Sequence, residues 1–67
     1  MTDRMLQFFA HNDMPDNEMD VAIQFDTLAH QVVKNLPRTP ERTVCLRKLL
    51  EARDCALRCL IEDQHVG

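Results

Sequence analysis

Pro37 and Pro40 stand three positions apart near the middle of a chain of 67 residues. The first pushes Leu36 out of helical geometry and ends any helix that precedes it. The second is suited to begin one, because at the first helical position its missing N–H costs no hydrogen bond. Thr39, just before it, is a good N-cap, and Glu41 complements the positive end of the helix dipole. A connection as short as residues 36–39 joins antiparallel neighbours. Only one glycine is present, and there is no Trp or Tyr, a composition that favours helices over strands. The chain is therefore predicted to be all-α, an antiparallel two-helix hairpin in a single domain.

Each arm can be placed from its periodicity. The first long helix is predicted over residues 17–36, capped by Asp16 or Asn17, with Glu18 and Asp20 in its first turn. At about 100° per residue, Val21, Phe25, Leu28, Val32 and Leu36 form one apolar stripe, with Ala22, Ala29 and Val33 beside it. Thr27, His30, Gln31 and Lys34 face away. The second long helix is predicted over residues 40–63. Upstream, Met5, Phe8 and Phe9 suit a short helix over residues 2–10 capped by Thr2, followed by a turn over residues 11–17 rich in Asn, Asp and Pro.

The second helix carries more apolar surface than one neighbour can cover. Cys45, Ala52, Cys55, Ala56 and Cys59 form one lobe of its wheel; Leu46, Leu49, Leu50, Leu57, Leu60 and Ile61 form the other. The two lobes exceed the stripe of an ordinary surface helix, and a large apolar patch left in water marks a binding surface. A chain this short also has a small core, often supported by association. The expectation is a homo-oligomer, in which one lobe meets the same chain and the other meets further copies. The competing arrangement is a three-helix monomer whose N-terminal segment covers the second lobe. The cysteines read as small buried hydrophobes. Cys45 and Cys55 lie about 15 Å apart along a helix, beyond disulfide reach. Cys55 and Cys59 fall short of the four ligands of a structural zinc site, and no metal or cofactor is expected.

Charge and composition exclude several functions. A net charge of −3 argues against duplex DNA, whose phosphates require a basic surface. No apolar run reaches membrane-spanning length, and the first ten residues do not resemble a signal peptide, so a cytoplasmic protein is expected. The chain has no Ser, no Gly-rich phosphate loop and no persuasive Cys–His pairing. It is not expected to be an enzyme.

Four side chains invite a binding role. Arg42 and Arg53 project among the leucines of the second helix. Either their stems cover apolar surface while the guanidinium groups reach water, or they form an anion pocket at a subunit seam, where the planar fork binds phosphate bidentately. Phe9 and His11, with Phe8, either stack a nucleobase or divide between core and surface.

The run "TPERTVCLRKLLEARDCALRCL" resembles the second-helix signature of phage anti-CBASS sponges, small proteins that capture cyclic oligonucleotide immune signals. A related hairpin occurs in sponges of the NAD-derived Thoeris signals. The resemblance rests on Pro37, Thr39, Glu41, Thr43, Leu49, Glu51, Ala52 and Ala56, and upstream on Phe8, His11 and Pro15. It implies a helical hairpin with a short N-terminal helix, assembled as a hexamer in an infected bacterial host. It further implies non-hydrolytic capture of cyclic GMP-AMP-like or cyclic tri-AMP-like molecules at subunit seams. The family's aromatic before the His is replaced by Ala10, its Lys in the first long helix falls in the cation-free stretch of residues 24–26, and its Arg after the small polar residue is replaced by Pro40. With these positions altered, the resemblance points to Phe9, His11 and Gln24 as ligand contacts. The base is expected to stack on Phe9 or His11, and the phosphates to be held by Arg groups of neighbouring chains, with Arg42 and Arg53, read from the helix wheel, as the candidates. Rival readings are a sponge of NAD-derived signals and an acidic helical module that docks its leucine lobe on a host protein.

Overall fold

A computed structural model of the chain describes residues 3–66, and the side chains of residues 3–62. It is all-α. A 3₁₀ helix over Arg4–Phe8 precedes two long helices, α1 over Asp16–Asn35 and α2 over Pro40–Val66.

The break between α1 and α2 forms as the two prolines require. Leu36 is extended (φ −113°, ψ 146°) and its N–H returns to Val32 O. Thr39 caps α2, its hydroxyl accepting from the Arg42 N–H at 3.2 Å. The cap of α1 differs from the expected Asp16 or Asn17. The cap position is Pro15, which has no side-chain acceptor, and Asp16 with Glu18 lies in the first turn instead. Pro15 O accepts from Met19 N at 2.9 Å, and the two carboxylates offset the missing cap by meeting the positive end of the helix.

Cross-helix contacts fix the direction of the arms. Arg42 reaches Val33 and Leu36, whereas Arg53 reaches Asp26. Numbers rise along α2 as they fall along α1, so the helices are antiparallel.

The seam follows alternating steps of four and three residues, the spacing that keeps two helices in continuous contact. On α1 the inward row is Ala22, Asp26, Ala29 and Val33; on α2 it is Arg42, Leu46, Leu49, Arg53, Ala56 and Leu60. Ala22, Ala29 and Leu46 are fully buried, and Asp26, Arg42 and Arg53 nearly so. This corrects the expected stripe on α1. Leu28 and Leu36 are each 46% exposed, and Val21, Phe25 and Val32 are only half-buried on one flank. Relative to that stripe the helix is rotated by roughly a quarter turn. The physical reason is Asp26, whose carboxylate must reach Arg53 rather than stay unpartnered. The small alanines on its row also admit a close neighbour.

The N-terminal segment is a strap laid along the hairpin, with Leu6 and Phe9 joining Ala29 and Leu46 in the core. Its cap is Asp3, whose carboxylate accepts from Met5 N at 2.9 Å; the expected cap, Thr2, lies outside the described residues. It forms a 3₁₀ helix because its ends are tied far apart, Asp3 to Arg42 and Ala10 to Arg53. Those arginines are about 16 Å apart along α2 at 1.5 Å per residue. Seven residue steps span about 10 Å as α-helix but about 14 Å as 3₁₀ helix. Asp13 then turns the chain with a positive φ of 63°, a conformation Asp tolerates better than most residues.

The strap and α1 together cover Leu46 fully and Leu49 and Leu50 in part, whereas Ile61, at the far end of the leucine lobe, is 46% exposed. Of the other lobe, Ala56 is half-buried at the seam, while Ala52, Cys45, Cys55 and Cys59 are exposed in the single chain. Among the described residues, no helix is long and apolar enough to cross a membrane.

Candidate functional site

The strap does not lie flush on α1. Between them is a cavity of about 330 Å³ lined by Phe9, His11, Asp26, Thr27, His30, Gln31 and Lys34. That volume is near the lower end for small-molecule sites, ~300–1,000 Å³.

Each wall follows from local structure. Thr27, His30, Gln31 and Lys34 recur at three- and four-residue steps and line one flank of α1. All four are exposed, as expected for an outward face, and the strap turns that face into one side of a cleft. Phe9 is 2% exposed, so its ring is both core and cleft wall.

At one end a buried polar network holds the strap to both helices. Arg53 Nε donates to Asp26 Oδ1 at 2.8 Å. Arg53 Nη2 donates to the Ala10 carbonyl. Asp26 Oδ2 lies 2.8 Å from His11 Nδ1. The side chains of Arg53 and Asp26 are 7% and 3% exposed, against 33% for His11. Three chain segments therefore meet at one carboxylate, which leaves His11 fixed by one ring nitrogen and open to the cleft.

A second buried arginine fastens the far end. Arg42 Nη1 donates to the carbonyls of Val33 and Leu36 at 3.2 and 3.1 Å, closing the C-terminus of α1. Its Nη2 donates to Asp3 Oδ2 at 2.9 Å, while its buried Nε has no hydrogen-bond partner. The Asp3 carboxyl is held below the ordinary carboxylate range, first by the Met5 N–H. The Arg42 hydrogen bond and charge and the Arg38 charge add to this, while burial pushes the other way.

The expected site residues thus separate. Phe9 and His11 meet in one cleft. Gln24 is exposed on α1 and donates to Asp20 O of its own helix at 3.1 Å, and it does not line the cleft. Arg42 and Arg53 neither reach water nor open onto a free anion site; both are spent on partners inside the chain. Asp26, Thr27, His30, Gln31 and Lys34 join the cleft without having been expected there. A signal for Asp26 was present in the sequence: it interrupts an alanine row of four-three spacing, as Arg53 interrupts a leucine row.

Chemically, the cleft combines a buried aromatic wall with two imidazoles, one ammonium group, an amide, a hydroxyl and the Asp26 carboxylate, whose charge is paired with Arg53. Such a set suits a planar, polar-edged ligand bearing negative charge. Among the described residues, no group of three or more His, Cys, Asp or Glu is placed to hold a metal ion. Fold and cleft together define a small all-α hairpin whose N-terminal strap walls a cleft on α1. No protein-family model, curated protein or solved structure matches the chain.

Proposed function

We propose that this chain binds and sequesters a cyclic oligonucleotide signal in the strap cleft without cleaving it, as a counter-defence protein in a phage-infected bacterial cell. The observation that carries the reading is the cleft itself, where Phe9 and His11 stand with His30 and Lys34. Phe9, only 2% exposed, gives a base an apolar wall to rest against, and Lys34 with His30 supplies donors for phosphate. The family's first-helix cation has no counterpart at residues 24–26; Lys34, on the same helix, takes that role from the cleft side.

A cavity of about 330 Å³ is too small to enclose a whole cyclic di- or trinucleotide. One nucleotide of the ring enters each cleft, and the remainder extends toward a second chain. Self-association is supported by the open flank of the hairpin. Two antiparallel right-handed helices turn their Val21–Phe25–Leu28 and Cys45–Ala52–Cys59 rows to the same side, by the ordinary angular step of the helix. That side is away from the strap and carries the apolar surplus of α2, a surface suited to further copies in a closed assembly such as a hexamer.

The test is calorimetric titration of Lys34→Ala and His30→Ala with the cyclic nucleotide that the unmodified protein binds. Both residues are exposed, so stability should stay within about 0.5 kcal/mol. Lys34→Ala should weaken binding by about tenfold or more, the value of one charge-assisted hydrogen bond. Unchanged affinity in both variants would remove the cleft from the binding site.

A further inference from the structure

The network under the cleft determines more than the position of His11. We propose that Asp26 is a positioning residue that presents His11 to the cleft as a hydrogen-bond acceptor, so that the cleft selects a nucleobase edge carrying an N–H donor. This rests on the nucleotide reading of the same site.

The argument begins with Asp26, which is nearly fully buried between the helices. Its Oδ1 receives Arg53 Nε, and its Oδ2 faces His11 Nδ1 at 2.8 Å. A carboxylate only accepts, so Nδ1 must carry the hydrogen. In a neutral imidazole the other nitrogen then has none. Nε2 is therefore an acceptor, on a side chain that lines the cleft. Arg53 Nε gives Asp26 a cationic partner of its own at 2.8 Å, so the carboxylate has a counter-charge without one on the ring. The donors of the cleft, Lys34 among them, remain for phosphate, and His11 reads the base. An exocyclic amino group, as on adenine, supplies the matching donor; a purine lacking it does not.

The same geometry gives a way to reverse the device. In Asp26→Asn, Arg53 Nε still requires an oxygen, which turns the amide nitrogen toward His11. Nδ1 must then accept, the hydrogen moves to Nε2, and the cleft-facing nitrogen becomes a donor. A purely structural role for Asp26 would not invert the tautomer.

Two measurements test this on the full chain. Long-range ¹H–¹⁵N correlation spectra at a pH where the ring is neutral should show His11 as Nδ1–H in the unmodified protein and Nε2–H in Asp26→Asn. Calorimetric titration should show cyclic di-AMP binding about tenfold or more tighter than its analogue with purine in place of adenine. That preference should disappear in His11→Phe, which leaves the Arg53–Asp26 pair intact should Asp26→Asn fail to fold. An Nε2–H tautomer in the unmodified protein overturns the inference while the nucleotide reading stands, as does equal binding of the two ligands. Failure of both ligands and of cyclic di-GMP to bind, with His11 in the Nδ1–H form, overturns the nucleotide reading and with it the selection of a base edge.

Discussion

Arg53 Nε stands 2.8 Å from Asp26 Oδ1 across the seam of the hairpin, from a position 27 residues later in the chain. Neither side chain reaches solvent to any useful extent. A charge pair in an otherwise apolar seam costs desolvation, but it also fixes which residue faces which. Slipping α2 by one turn would leave both charges without partners, so this pair sets the register of the hairpin and, through Ala10 and His11, the place of the strap.

Removing one partner should therefore cost far more than replacing both. Arg53→Ala leaves the Asp26 carboxylate buried without its main partner and should lower unfolding free energy by about 3–5 kcal/mol. The double change Arg53→Met with Asp26→Leu should cost markedly less. Urea unfolding followed by circular dichroism measures both. Equal losses would mean that the pair contributes only packing volume.

Asp3 ties stability to acid pH. Its carboxyl is held below the ordinary range by the Met5 N–H and by Arg42, so in the folded chain it stays ionised to lower pH than in the unfolded chain. Its contribution is complete above the unfolded carboxylate range, near ~4. It is lost as pH falls through the lower folded value. Asp3→Asn keeps a good cap but removes the charge. Its urea midpoint should lie below that of the unmodified protein at pH 6 and converge with it toward pH 2. Parallel curves across that range would contradict the assignment.

The open flank of α2 predicts a link between thiol reactivity and assembly. Cys45, Cys55 and Cys59 are exposed in the chain, so a dilute monomer should react with an aromatic disulfide reagent at all three. At concentrations where light scattering reports an oligomer, reaction should slow about tenfold or more at the cysteines that copies cover. Ala52→Glu, which places a charge in the same row, should leave a folded monomer whose thiols react at one rate at every concentration. Full reactivity within an assembled particle would place the contact elsewhere.

The hairpin was legible because its signals are local. Proline at residues 37 and 40, the Thr39 cap and two helical periodicities need no knowledge of the partner surface. The rotation of α1 was not legible in the same way. By hydrophobicity alone Val21, Phe25, Leu28 and Val32 outrank an alanine row interrupted by Asp26, and only pairing Asp26 with Arg53 inverts that order. The cleft was half visible: Phe9 and His11 lie close in sequence. His30 and Lys34 read as ordinary solvated positions, because what makes them cleft walls is a strap laid across α1 by contacts 39 and 43 residues apart in the chain. Arg42 and Arg53 read as either snorkelling or anion-binding side chains for the same reason, since their partners come from distant segments.

The most direct test of the central claim is calorimetric titration of the purified protein with cyclic di- and trinucleotides, with particle mass measured on the same sample and the ligand recovered by heating. The account predicts submicromolar binding by an oligomer, below about −8.2 kcal/mol, with the ligand recovered intact. Absence of binding across the panel would contradict it. Recovery of a linear product would contradict it too, and would recast His11 and His30 as an acid–base pair.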